Sequence, residues 1–146
     1  MKLYLDNSFL NRPFDNLDVA INRLETEILF WILDLVRDRK IVLVNSAVIE
    51  YENSLNPFPE RKFFVEEILK LAKIYQNINE KIYLDAERLV NQFKIKNLDA
   101  LHLATSQYAK VDFFISCDYN LIKKLKGELN VISPGKFFEK YEKCKC

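Results

Sequence analysis

Ile41-Val42-Leu43-Val44-Asn45-Ser46 is the stretch on which the reading of this chain turns. An apolar run rich in β-branched residues proceeds without a polar interruption, then gives way to residues that favour turns and helix caps. A strand wetted on one side alternates polar and apolar, so an unbroken run marks a strand buried on both faces of a parallel sheet. Ser46 can cap a helix running through Ala47, Val48, Glu50 and Tyr51.

The same unit recurs in both directions. Upstream, Leu3-Tyr4-Leu5 reads as a strand ending at Asp6, and Asn7, Ser8, Asn11, Pro13 and Asp15 supply turn chemistry. Leu17, Ile21, Leu24, Ile28, Trp31 or Ile32, and Leu35 then recur by threes and fours as an amphipathic helix. Between Ile28 and Val36 its apolar character spreads around the helix, more than one packed face requires. Downstream, Asn53, Asn56, Pro57 and Pro59 break the chain. A helix with Phe63, Phe64, Ile68, Leu71 and Ala72 on its apolar side follows, then another from about Glu80 to Phe93. Asn97 is a good cap for a helix carrying Leu98, Leu101, Thr105 and Tyr108. Val111 to Ser116 is a third strand candidate, Asp118 opens a helix through Leu121, Ile122 and Leu125, and Val131-Ile132 is a short fourth strand. Ser133-Pro134 starts the last helix. Strands alternating with helices predict one α/β domain over residues 1–146, with a mainly parallel sheet of about four to five strands flanked by helices.

Bulk properties narrow the chemistry. With 49% hydrophobic residues the chain can bury a core. Its two glycines, Gly127 and Gly135, cannot build a glycine-rich phosphate loop, which excludes both nucleotide-binding fingerprints. A net charge of +1 leaves any nucleic-acid contact to local clusters of lysine and arginine. The apolar run Ile28–Leu33 stops at Asp34, too short to span a bilayer, and no targeting segment is visible, so a cytoplasmic location without membrane contact is expected. Cys117, Cys144 and Cys146 fit reduced thiols, and the Cys-x-Cys tail lacks the further ligands of a zinc site.

The functional signal lies in Asp6, Glu50, Asp99 and Asp118. Each falls at a strand tail or just inside a helix start, where open α/β sheets gather functional side chains. Taken singly, each has an ordinary explanation. Asp6 suits an Asx turn, Asp99 meets the positive end of a helix dipole, Asp118 suits an N-cap, and Glu50 could be solvated, as Glu52 is expected to be. Gathered at one end of a sheet, however, they would repel unless a cation neutralised them. Oxygen ligands point to Mg²⁺ or Mn²⁺ and hence to phosphodiester chemistry. His102 is the only histidine, one turn after Asp99, and a lone helical histidine is more often packed or surface-exposed than a ligand. Lys94 and Lys96 precede Asp99, and Lys123 and Lys124 follow Asp118, where positive charge could hold a phosphate backbone.

Four segments together resemble the PIN-domain family of metal-dependent nucleases. Leu3-Tyr4-Leu5-Asp6-Asn7-Ser8 resembles the family's first strand, with its acid and a hydroxyl residue two positions on. Ser46-Ala47-Val48-Ile49-Glu50 is similar to the segment bearing the family glutamate. Asn97-Leu98-Asp99-Ala100-Leu101-His102-Leu103-Ala104 resembles the stretch with the third acid, and Phe114-Ile115-Ser116-Cys117-Asp118 the strand end with the fourth. Relatives often have Thr where this chain has Ser116, and an acid where it has Asn120. The resemblance implies an endoribonuclease acting on RNA, with Asp6, Glu50, Asp99 and Asp118 as catalytic and metal-binding residues. Ser8, Ser116 and Asn120 would support them. It also implies a homodimer and, as in toxin–antitoxin pairs, an antitoxin partner. The rival readings are a PIN-like module that binds RNA or protein without cutting it, and a phosphatase-type hydrolase of small molecules.

Overall fold

The computed structural model describes residues 1–144; Cys146 of the Cys-x-Cys tail lies outside them. Among the described residues five strands form one sheet: β1 (Lys2–Leu5), β2 (Val42–Ser46), β3 (Ile74–Gln76), β4 (Phe113–Ile115) and β5 (Val131–Ile132). Their order is β3-β2-β1-β4-β5, every neighbouring pair parallel. β1 is therefore central, and the chain leaves it first toward β2 and later toward β4. Ligands of open α/β sheets bind at the carboxyl ends of strands flanking such a reversal. The register sets Leu5 beside Ile115, and the Asp6 N–H donates to the Ile115 carbonyl at 2.9 Å. The ends of β1 and β4 are thereby level, and residues 6 and 116–118 emerge side by side.

The connecting segments are helical: α1 (Asn7–Leu10), α2 (Ala20–Arg37), α3 (Ala47–Ser54), α4 (Pro59–Leu69), α5 (Glu80–Phe93), α6 (Asn97–Tyr108), α7 (Tyr119–Leu125) and α8 (Pro134–Cys144). Alternation along each strand sorts the core into two layers. Tyr4 stacks on Phe114 with ring centroids 5.1 Å apart and meets His102 of α6 edge-on. Phe113 points the other way onto Phe137 of α8, which in turn packs against Trp31 of α2. Leu3, Tyr4, Leu5, Leu43, Val44, Phe114 and Ile115 are all buried, as an interior parallel sheet requires.

Three local features depart from the sequence reading. The turn-rich stretch after Asp6 winds into the single helical turn α1 and a 3-10 turn, Arg12–Phe14. β3 has no apolar run to announce it: three residues at the sheet edge, with Tyr75 exposed, pair only with β2. The buried side of α4 is Val65, Ile68 and Leu69, while Phe63 stays exposed. On α2, Phe30 of the surplus read between Ile28 and Val36 is exposed while Leu29 and Leu33 are buried, and Leu24, expected on the packed stripe, is exposed as well. No helix among the described residues is long and apolar enough to cross a membrane.

Candidate metal centre

Asp6 leaves the end of β1 almost fully buried. Ser8 Oγ donates to its Oδ2 at 3.0 Å and Ser116 Oγ donates to the same oxygen at 2.8 Å. Ser8 also accepts from the Cys117 N–H, and Ser116 from the Asp118 N–H, each at 3.0 Å. The two hydroxyls thus tie the carboxylate to the loop after β4. Because both bonds fall on one oxygen, the other keeps its lone pairs available. Asp118 caps α7 by accepting from the Leu121 N–H at 3.1 Å. Asp99 sits in the first turn of α6.

Electrostatics show that these acids share a neighbourhood. Burial pushes the Asp6 carboxyl up from the usual range. Asp99 is pushed up from 3.8 to about 6, first by burial and then by the charges of Asp6 and Asp118, with Glu52 adding to them. Asp99, Asp118 and Asn120 line one groove of about 160 Å³ together with Lys96 and Lys124. Lys124 Nζ reaches the Lys94 carbonyl at 3.3 Å, while Lys123 is exposed on α7 outside this groove.

Two residues that sequence reading set aside complete the group. Glu52, His102 and Asp6 present ligand atoms within 4.8 Å of one another. Glu50, which the sequence suggested, is not brought there. It accepts from Asn45 Nδ2 at 3.2 Å and lines a separate groove with Asn53, Lys62 and Lys70. Residues two apart on a helix point in nearly opposite directions, so α3 can send only one of Glu50 and Glu52 toward Asp6. The signal was present in the spacing. Glu52 lies four after Val48 and three after Ile49, both buried, which puts it on the packed side of α3.

His102 is itself buried, with both ring nitrogens engaged. Nδ1 lies 2.6 Å from the Tyr4 hydroxyl and Nε2 lies 2.7 Å from Glu52 Oε1. Tyr4 is 2.8 Å from Ser46 Oγ, which accepts from the Ile49 N–H at 3.0 Å. Burial holds the Tyr4 phenol well above its usual range, so it keeps its proton. The pattern assigns Ser46 as donor to Tyr4, Tyr4 as donor to Nδ1, and Nε2–H as donor to Glu52. With neither nitrogen spare, His102 orients Glu52 in the way a histidine–carboxylate pair fixes a metal ligand from behind.

The donor set fits a hard divalent cation. Glu25 shows how this chain neutralises a buried acid by itself: Arg12 donates to it from Nε at 2.9 Å and Nη2 at 2.7 Å, and Tyr119 donates at 2.6 Å. Among the described residues, no lysine or arginine forms an ion pair with Asp6, Asp99 or Asp118. Neighbouring carboxylates that no lysine or arginine holds in an ion pair among the described residues suit Mg²⁺ or Mn²⁺.

The raised Asp99 value carries a pH dependence. The folded carboxyl keeps its proton up to about pH 6, whereas the unfolded one releases it near 3.8. Folding therefore takes up a proton between those values, and the metal-free protein should lose stability as pH rises through that window. Thermal unfolding at pH 5 and pH 7 should show a larger loss in wild type than in Asp99→Asn. Added Mn²⁺ should diminish it at pH 7. Equal pH profiles for the two proteins would count against this coupling.

A family model for the PIN domain matches residues 4–127. No curated protein matches the chain in sequence. Two of the solved structures that resemble it in fold illustrate the likeness. One is the crystal structure of VapBC2 from Rickettsia felis bound to a DNA fragment from their promoter. It has 13% identity and a TM-score of 0.57, with 90% of this chain and 97% of that chain covered. The other is VapBC-1 from nontypeable Haemophilus influenzae, with 14% identity and a TM-score of 0.56 over 92% of this chain and 99% of that one.

Proposed function

The chain belongs to the PIN-domain family, and on that premise we propose that it is a Mg²⁺- or Mn²⁺-dependent endoribonuclease. The observation that carries the reading is that Asp6 presents a ligand atom within 4.8 Å of those of Glu52 and His102, with the charges of Asp6 and Asp118 acting on Asp99 nearby. Asp6, Glu52, Asp99 and Asp118 would hold the cation, Glu52 taking the place that the sequence suggested for Glu50. When bound, the cation lowers the pKa of a coordinated water and stabilises charge on the scissile phosphate.

The remaining tasks fall to the chain's own side chains. Ser8 and Ser116 fix the Asp6 carboxylate through its Oδ2. His102, held by Tyr4, fixes Glu52. Lys96 and Lys124, on the rim of the Asp99–Asp118 groove, neutralise flanking phosphates, with Lys94 and Lys123 extending the positive edge. Asn120 lines the same groove and offers a neutral polar contact to water or substrate.

Incubating the protein with structured RNA and Mn²⁺ should yield discrete internal cuts that disappear when the ion is chelated. Saturating Mn²⁺ without cleavage of any RNA would favour the non-catalytic binding module instead. The resemblance to VapBC structures supports an antitoxin protein as a further partner. The exposed apolar side of α2 supports a homodimer. Sedimentation at micromolar concentration should show a dimer, and a monomer throughout would remove that part of the proposal.

A further inference from the structure

Asp118 is flanked in the chain by two residues whose side chains meet at one carboxylate on α2. Tyr119 donates its hydroxyl to Glu25 Oε2 at 2.6 Å. Burial and then the charge of Glu25 push the Cys117 thiol up from its usual range, and a hydrogen bond to Glu25 adds to them. The thiol therefore stays protonated and donates to the same carboxylate. Asp118 itself lines the groove with Asp99, Lys96 and Lys124, and Glu25 does not. Glu25 thus holds the residues immediately before and after a proposed cation ligand while standing outside the ligand's own groove.

The carboxylate is in turn fixed by a third segment. Arg12 Nε and Nη2 donate to Glu25 Oε1 at 2.9 and 2.7 Å, and Arg12 Nη1 donates to Asp15 Oδ2 at 3.0 Å. Arg12 lies in the 3-10 turn that follows Asp6 and α1. One side chain of α2 therefore joins the segment leaving β1 to the segment leaving β4. The loop after β4 is also held by its backbone, with the Cys117 N–H on Ser8 Oγ and the Asp118 N–H on Ser116 Oγ, each at 3.0 Å. Those bonds fix the path of the chain, and the Glu25 contacts fix the side chains on both flanks of Asp118.

Glu25 is 1% exposed, and a buried ion pair is a poor device for stability alone. Desolvating both charges consumes much of their attraction, and apolar side chains of similar volume often serve as well or better. What the pair supplies is direction. The rigid guanidinium fork of Arg12 places two donors on one carboxylate oxygen and leaves the other to Tyr119. We infer that Glu25 is a positioning residue for the cation site, setting the orientation of Asp118 through Cys117 and Tyr119. The inference rests on the reading of Asp118 as a cation ligand and adds a residue of α2 to its support.

Calorimetric titration of Mn²⁺ tests this without any RNA. Tyr119→Phe removes one hydroxyl from a ring that is 48% exposed. It should weaken Mn²⁺ affinity about fivefold, the scale of one net hydrogen bond, and leave metal-free thermal stability nearly unchanged. Glu25→Gln sets an amide NH₂ against one of the two donors and should weaken affinity about tenfold, as loss of support behind a metal ligand does. In an Asp118→Asn background each loss should shrink below about twofold, because effects carried through one residue do not add. An undiminished loss in that background overturns the inference, since Glu25 would then act on the fold rather than on Asp118. Wild-type affinity in the single variants overturns it as well and leaves the cation site standing. If Glu25→Gln does not fold, Tyr119→Phe decides between these outcomes. Wild type that binds no Mn²⁺ overturns the cation-site reading itself.

Discussion

Asp6→Asn should leave the protein folded and cut its metal-dependent RNA cleavage by about 10²–10³-fold, the consequence of losing roughly 3–4 kcal/mol of electrostatic stabilisation at the reacting phosphate. The fold should survive because asparagine has the same shape and its Oδ1 can accept from Ser8 and Ser116, as Asp6 Oδ2 does at 3.0 and 2.8 Å. Removing the charge also relieves repulsion, since Asp6 is among the groups that raise Asp99. Metal-free thermal stability should therefore be equal to or above that of wild type, while calorimetric Mn²⁺ affinity falls. Cleavage assays read the first effect and thermal unfolding the second. Undiminished cleavage would remove Asp6 from the cation site.

The second large effect separates two glutamates of one helix. Glu52→Gln should lower cleavage by about 10²-fold, within the range known for disturbing a metal ligand or its immediate support. Glutamine keeps a carbonyl for the His102 Nε2–H, now 2.7 Å from Glu52, so the network of Tyr4, Ser46 and His102 should stay in place. Glu50→Gln should change activity by no more than about twofold, as a surface substitution remote from the chemistry does. The contrast is informative because the two residues share a helix, a charge and a side-chain length. Loss of activity in Glu50→Gln with Glu52→Gln unaffected would reverse the assignment and restore the position that the sequence alone suggested.

Sequence reading reached different depths in different places. Strand–helix alternation was legible because a strand buried on both faces must be apolar throughout, as Leu43, Val44, Phe114 and Ile115 are. β3 was hidden because an edge strand of three residues needs no such run. Asp6, Asp99 and Asp118 stood out because strand tails and helix heads are visible in local composition, and in the fold the charges of Asp6 and Asp118 both act on Asp99. The choice between Glu50 and Glu52 depended instead on which way α3 faces, and only packing fixes that. The Tyr4–His102 and His102–Glu52 bonds join residues 98 and 50 positions apart. No local pattern encodes such pairings. The sequence left His102 either packed or surface-exposed; it is buried, and its partners depend on the fold.

The account rests on one divalent cation gathered by carboxylates from β1, α3, α6 and the start of α7. Anomalous diffraction from crystals soaked in Mn²⁺ tests that most directly. A single strong peak bounded by the side chains of Asp6, Glu52, Asp99 and Asp118 is the predicted result. No peak there, or one in the groove beside Asn45 and Glu50, would contradict it.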